Sequence, residues 1–359
     1  MAAVLKHPST DLTVPKSQKA AVFEEWGKPV RVVERPVVQE SELKPGQVLV
    51  KIMYSGQARF TLSIKYRVCH TDLHTARAEW PIMPPTPLVG GHEGAGFIVA
   101  IGAGTQSPVK VGQAVGVKWI GSTCLSCEAC TRGKKEYLCA NLVKTGMTSD
   151  GTFQQYVVSY AAHVIPIPAS VPLHLAAPIL CAGVTVYKAI KHADTSPGDI
   201  VVIPGAGGGL GHLAIQYAIN GFGLRVIAVD SGAHKKELCL KLGAETFIDF
   251  KESSNLVEDV IRAADGLGVH AAIVTSGSAA GYSQALQYLR GGGTLVAVGA
   301  PPGAKLEVDI IASLPRSITI KNHSLGFRKY SMKCKRENSQ GALFLICGAE
   351  KVELILSLP

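Results

Sequence analysis

Charge and aromatic rings are both scarce in this chain. Charged residues make up 18 % of it and aromatic residues 6 %, against 47 % apolar residues. A disordered chain would show the opposite balance, with few apolar residues and much net charge. The formal charge is +9. Its Lys and Arg residues are spread along the sequence rather than interleaved with aromatics, which argues against a nucleic-acid partner. The densest basic patch is Arg328 to Arg336. No apolar run reaches the ~18–20 residues that span a bilayer, so no membrane partner is expected. The start, Met1 to Gln18, is polar and contains Asp11, unlike a signal or transit peptide. There is no internal repeat and no low-complexity segment. These absences point to a soluble protein of a reducing compartment, the cytosol. Nine cysteines in such a setting read as metal ligands or core residues before disulfides.

Glycine is plentiful, with 38 residues in 359. The length is too great for one typical core, so two domains are expected. Val48–Met53, Gly96–Ile101, Ala114–Trp119 and Phe153–Val158 read as short strands between Gly- and Pro-rich turns. The texture changes near Ala182. Ala182–Ala193 has helical spacing, and strand-like Asp199–Ile203, Arg225–Val229, Thr246–Ile248, Ala271–Val274 and Thr294–Val298 follow. Leu210–Asn220 and Lys235–Leu242 are helical. Strand, helix, strand at this spacing predicts an α/β unit with a doubly wound parallel sheet.

The turn Gly205-Ala206-Gly207-Gly208-Gly209-Leu210-Gly211 lies between one of those strands and its helix. A GxGxxG turn lets backbone approach a pyrophosphate and aims helix N–H groups at it. Fixed spacing puts Ala206 in the first slot, with Gly208 and Gly211 in the others. A plain tight turn is the alternative. Asp230 ends the next strand, nineteen residues after Gly211. An acid there can bind both ribose hydroxyls of an adenosine half and would repel a 2′-phosphate, which favours NAD over NADP. Lys235 could assist at the ribose. A helix cap is the plainer reading of Asp230.

Cys124, Cys127, Cys130 and Cys139 set four soft ligands within sixteen residues. Four thiolates close a tetrahedral zinc site, which makes it structural. A second set is scattered: Cys69, His92 and Cys181. Two thiolates and one imidazole leave zinc a fourth position for water or substrate. Cys69-His70-Thr71-Asp72-Leu73-His74 is dense in titratable groups, and His92-Glu93 stands in a glycine frame, Gly90 to Gly96. Cys181 by itself is an ordinary core cysteine.

These residues resemble the zinc-containing medium-chain alcohol dehydrogenases, most closely the yeast and filamentous-fungal branch. Asp150-Gly151-Thr152-Phe153-Gln154-Gln155-Tyr156 and Cys181-Ala182-Gly183-Val184-Thr185-Val186-Tyr187 carry the likeness too, which runs from about Lys19 to about Ser324. The resemblance implies a GroES-like, β-rich catalytic domain over 1–185 and a Rossmann domain over 186–325. It implies hydride transfer between NAD(H) and an alcohol or carbonyl compound, with two zinc ions per chain. Cys69, His92 and Cys181 would hold the catalytic zinc, with Glu93 beside it and Asp72 orienting His92. Thr71 would bond the substrate hydroxyl, and the proton would leave through His74. His70 would sit near the pyrophosphate. Gly205, Gly208, Gly209, Leu210, Gly211, Asp230, Lys235 and Val298 would bind the cofactor, and Trp80 and Trp119 would wall a small pocket. A homotetramer or homodimer is implied, built partly by edge strands of the dinucleotide domain.

Three features depart from that pattern. Eleven residues, Gln57–Arg67, stand between a strand end and Val68, as a surface loop or a translated intron. The last cysteine gap has eight residues where seven are usual. The likeness fades after Ser324, leaving 326–359 as a divergent tail. Two other functions stay open at this point: a reductase dedicated to one fungal secondary metabolite, and a zinc- and dinucleotide-binding protein without turnover.

Overall fold

The computed structural model describes residues 10–56, 69–81, 83–132 and 135–322, and the backbone of Tyr330–Met332 and Leu345–Cys347. The segment Gln57–Arg67 and most of 326–359 lie outside the described residues. The chain forms two compact units, one on Met1–Cys181 and one on Ala182–Gly326.

The first unit is built on a five-stranded antiparallel sheet. Its spatial order is Ile165–Pro166, Ala114–Val117, Gly94–Ile101, Gln47–Ser55, Tyr156–Tyr160. Both faces of the strand Gln47–Ser55 are covered. Val48 and Val50 join Ile98, Val115, Val117 and Val157 on one side, while Leu49 joins Val37, Leu43 and Tyr156 on the other. That is why Val48-Leu49-Val50 reads as an unbroken apolar run instead of an alternating one. Gly96 is obligatory here, because a Cβ would lie 1.9 Å from the Lys51 carbonyl oxygen on the neighbouring strand. A smaller sheet orders Arg31–Pro36, Ser17–Phe23 and Leu88–Val89. The strand expected from Phe153 starts at Tyr156, because Phe153 N–H donates to the Gly90 carbonyl and its own carbonyl accepts from Ala21.

The helix expected from Ala182 begins earlier. It runs α-helical over Leu173–Pro178, widens to a π-helical turn over Ile179–Gly183, and continues over Val184–Lys191. As a whole, Leu173–Lys191 is long and apolar enough to cross a membrane, which corrects the expectation that no such segment exists. Yet 83 % of its most apolar stretch is buried inside the fold, as a core helix requires.

The second unit holds six parallel strands: β1 Ile200–Pro204, β2 Arg225–Asp230, β3 Thr246–Asp249, β4 Val269–Val274, β5 Leu289–Ala297 and β6 Thr319–Asn322. Their order is β3-β2-β1-β4-β5-β6. The order reverses between β1 and β4, the switch point beside which doubly wound sheets bind ligands. Buried Val202, Ile227, Val229, Ala272, Val274 and Leu295 form its core. Gly205, Ser231 and Val298 follow the C-terminal ends of β1, β2 and β5, so one edge of this sheet gathers the loops expected to bind a dinucleotide.

Candidate active site and metal centres

Cys69, His92, Glu93 and Cys181 meet in the first unit. One ligand atom from each lies within 4.8 Å of all the others. Three local structures deliver them. Cys69 caps the short helix His70–Ala76. His92 and Glu93 precede the strand Gly94–Ile101. Cys181 sits in the π-helical turn, a distortion frequent at functional sites.

His92 is buried, and its Nδ1 lies 3.1 Å from Asp72 Oδ1. A carboxylate only accepts, so Nδ1 carries the hydrogen, and in the neutral ring Nε2 holds the lone pair. That Nε2 is buried with no hydrogen-bond partner. A neutral imidazole held this way and turned toward thiols suits a metal. Asp72 is itself 4 % exposed, and the same Oδ1 accepts from Gly91 N–H at 3.0 Å.

The acids of this cluster share too little space to ionise together. A hydrogen bond from the Cys181 thiol holds Cys69 well below its ordinary range, against the effect of burial. The same bond, with burial, pushes Cys181 well above the thiol range. Burial first, and the Cys69 charge second, push Glu93 up to about 8. At His92 burial opposes protonation, but the charges of Asp72 and Cys69 outweigh it and leave the ring raised. Such a set retains protons that a divalent cation would displace, so the donors present fit zinc.

Around it, His74 lies on the same helix as Thr71 and Asp72, with Nδ1 2.5 Å from Glu79 Oε2. His70 is exposed, its ring 5.9 Å from that of His74. Trp80 stands edge-on to His74 at 5.7 Å. Trp119 lies under the Lys144 ammonium at 5.3 Å, and its Nε1 is a buried atom without a hydrogen-bond partner. Sequence reasoning misses Glu79: an acid five residues after a histidine fits neither helical nor strand spacing.

Cys124, Cys127, Cys130 and Cys139 also converge within 4.8 Å. The Cys127–Cys130 and Cys139–Cys124 sulfurs are 3.5 Å apart. Backbone N–H groups of Cys124 and Cys127 donate to sulfurs of the set, at 3.4 and 3.3 Å. Backbone donors from Ser126 and Cys127 hold the Cys124 thiol down to about 5, a thiolate ready for metal. The 3-10 turn Glu136–Leu138 leads directly into Cys139. All seven described cysteines are free.

In the second unit the turn after β1 is tight, but in a register one residue from the one expected. The left-handed residue is Gly205, at φ +83°, one place before the slot that fixed spacing gave to Ala206. Ala206 is fully buried, and a Cβ on Gly211 would lie 2.5 Å from its Cα and 2.2 Å from the Gly205 oxygen. Gly205 therefore makes the tight turn and Gly211 lets the helix Gly211–Phe222 close on the strand. Gly208, Gly209 and Leu210 lead into that helix. Asp230, 5 % exposed, accepts from Gly207 N–H at 2.9 Å, Ser231 N–H at 2.8 Å and Lys235 Nζ at 2.6 Å. A carboxylate offers about four acceptor positions, so about one is left for a ribose hydroxyl. Val298 follows β5 and donates its N–H to the Val274 carbonyl at the end of β4.

Two sequence families match: the alcohol dehydrogenase GroES-like domain over residues 44–169, and the zinc-binding dehydrogenase domain over 209–337. The second match runs thirteen residues past Ser324, beyond the point where the likeness was expected to fade. Alcohol dehydrogenase 1 of Emericella nidulans is 47 % identical over 319 residues, 89 % of this chain and 86 % of that protein. The alcohol dehydrogenase of Schizosaccharomyces pombe is 43 % identical over 352 residues, 97 % and 94 % of the two chains. Among solved structures, acetophenone reductase from Geotrichum candidum in complex with NAD superposes with a TM-score of 0.72 at 27 % identity, covering 88 % of this chain and 84 % of that one. With its thiolate–imidazole cluster, its four-cysteine cluster and its doubly wound sheet, the chain belongs to the fungal zinc-dependent alcohol dehydrogenases.

Proposed function

We propose that the chain oxidises small alcohols, or reduces the matching aldehydes and ketones, with NAD(H) as its preferred cofactor and two zinc ions per chain. The observation that carries this reading is the buried His92 Nε2, without a partner, beside the Cys69 and Cys181 thiols. Cys69, His92 and Cys181 hold the catalytic zinc, with Glu93 at its edge. Cys124, Cys127, Cys130 and Cys139 hold the structural one. When bound, the catalytic zinc supplies a Lewis acid that makes the substrate oxygen more acidic, and the nicotinamide supplies the hydride acceptor.

The residues of the chain do the rest. Asp72 fixes the His92 tautomer through Nδ1–H. Thr71 binds the substrate hydroxyl, and His74 takes the proton toward solvent. Such proton transfer contributes ~10²–10⁴-fold to rate. In this reading His70 contacts the pyrophosphate, and Gly205, Gly208, Gly209, Leu210 and Gly211 form the dinucleotide turn. Asp230 accepts from the ribose and disfavours a 2′-phosphate, Lys235 supports it, and Val298 lines the nicotinamide end. Trp80 and Trp119 bound a small apolar pocket.

The location is the cytosol, where a set of free thiols stays reduced and able to bind metal. The chain self-associates through the edge of its parallel sheet. There β6 is the edge strand, and the segment that precedes it carries exposed Ile310, Ile311 and Leu314, at 65, 83 and 69 % exposure.

The test is NADH oxidation by the purified protein with a panel of small aldehydes, with zinc analysis on the same sample. Turnover with two zinc ions per chain is expected. One zinc per chain would remove one of the two sites, and faster turnover with NADPH would reverse the cofactor preference.

A further inference from the structure

Glu79 lies outside every motif used above. The helix His70–Ala76 ends at Arg77, and the chain turns back through Ala78 at φ 57°. Glu79 N–H closes the turn on the His74 carbonyl at 3.0 Å. The turn thereby returns the carboxylate to the imidazole of the same residue, Oε2 to Nδ1 at 2.5 Å. The next residue locks the other side. The Trp80 ring meets the imidazole edge-on, its Nε1–H donates to Thr75 Oγ1 at 3.0 Å, and that hydroxyl donates to the Thr71 carbonyl at 2.8 Å. Side-chain exposure rises from 12 % at His74 to 28 % at Glu79, so the pair runs outward toward water.

We propose that Glu79 is a positioning residue for the proton path: it keeps His74 in the tautomer with hydrogen on Nδ1 and steadies the imidazolium that forms during turnover. The proposal rests on the reading of His74 as the proton carrier. A carboxylate within hydrogen-bond distance can only accept, so it selects Nδ1–H and leaves the Nε2 lone pair to take the proton. In the oxidation direction the substrate O–H bond breaks and, at the far end of the proton path from Thr71, an Nε2–H bond forms. The imidazolium, ion-paired with Glu79, then gives the Nε2 proton to water and the neutral ring is restored. The hydride carries the electron pair to the nicotinamide, so the step needs no further oxidant. The same logic accounts for the left-handed Ala78: the turn costs backbone strain, and it is what brings an acid at this spacing back onto the ring.

The experiment compares the zinc-loaded wild type with Glu79→Gln, Glu79→Asp, His74→Gln and the His74→Gln/Glu79→Gln double variant. The reading is the transient rate of NADH formation from ethanol, with zinc content and the Kd for NAD measured alongside. Glu79→Gln should slow the transient roughly tenfold, the worth of one charge-assisted hydrogen bond, with Kd unchanged. Glu79→Asp, which keeps the charge, should recover part of the loss. In the His74→Gln background the second change should cost about twofold or less, because its partner is already gone. A wild-type rate in Glu79→Gln, or the same loss in the His74→Gln background, would overturn the proposal. A wild-type rate in His74→Gln would instead sink the reading of His74 itself. If Glu79→Gln loses zinc, Glu79→Asp decides: its shorter reach should slow the transient with zinc intact, and an unaltered rate refutes the idea.

Discussion

Replacing Asp230 with glycine separates the cofactor assignment from the plainer role of Asp230 as a loop anchor. The carboxylate is buried and already accepts from Gly207, Ser231 and Lys235. Its negative charge acts on the ribose in two ways. It accepts one hydrogen bond from an NAD hydroxyl, worth ~1.5 kcal/mol at the low end for a charged acceptor. It also repels a 2′-phosphate, by ~4 kcal/mol for unit charges ~4 Å apart at an effective dielectric of ~20. Lys235 lies 2.6 Å from Asp230 and is 40 % exposed, so it cancels much of that repulsion. Keeping ~1.5 kcal/mol of it, Asp230→Gly should move the NAD/NADP ratio of kcat/KM toward NADP by ~3 kcal/mol, roughly 150-fold. Freed Lys235 adds to the shift by meeting the phosphate. The variant should also melt earlier, since the Gly207 and Ser231 N–H groups lose their acceptor at ~1 kcal/mol each. The assay is steady-state kinetics with both cofactors and a thermal melt. An earlier melt with an unaltered NAD/NADP ratio would reduce Asp230 to an anchor and refute the ribose assignment.

Cys69→Ala should abolish turnover and leave dinucleotide binding intact, read by NADH fluorescence titration; unchanged rates would remove Cys69 from the reaction. Asp72→Leu strips the acceptor from His92 Nδ1 and Gly91 N–H. Zinc should then be lost to a competing chelator at ~10–100-fold lower concentration, and equal retention would contradict the tautomer argument. Cys139→Ser should take zinc from two ions per chain to one and lower Tm, because a structural ion contributes its binding energy to folding. If both ions stay bound, the four-cysteine assignment is wrong.

The legible parts of this protein share a physical property. The four cysteines fall within sixteen residues, so the chain cannot avoid bringing them together. A strand, a glycine turn and a helix also form a local unit, and the turn chemistry after β1 could be read before its geometry was known. What the pattern could not give was the register. GxGxxG spacing assigns the turn to Ala206, but which residue takes the left-handed conformation depends on where the β1 ladder ends. Gly205 and Ala206 both donate to the Val229 carbonyl, and that fixes the turn one residue earlier. The spacing from Ala182 shows only the second half of the long core helix, because a π-helical turn over Ile179–Gly183 breaks the helical period between the two halves.

By itself, then, the sequence determined the chemistry available: soft donors in two sets, a dinucleotide turn, and an acid at the end of the second parallel strand. These follow from residue type and short spacing, which local physics translates directly. Only the tertiary structure decided what those donors become. Cys69 and His92 are twenty-three residues apart, and Cys181 is eighty-nine further on. Their convergence within 4.8 Å is a property of the packed sheet and the π-helical turn. So are the orphaned Nε2 of His92 and the lone pairs of Asp230 already taken by its neighbours. Each depends on which atoms burial deprives of water, and burial is decided by the whole fold.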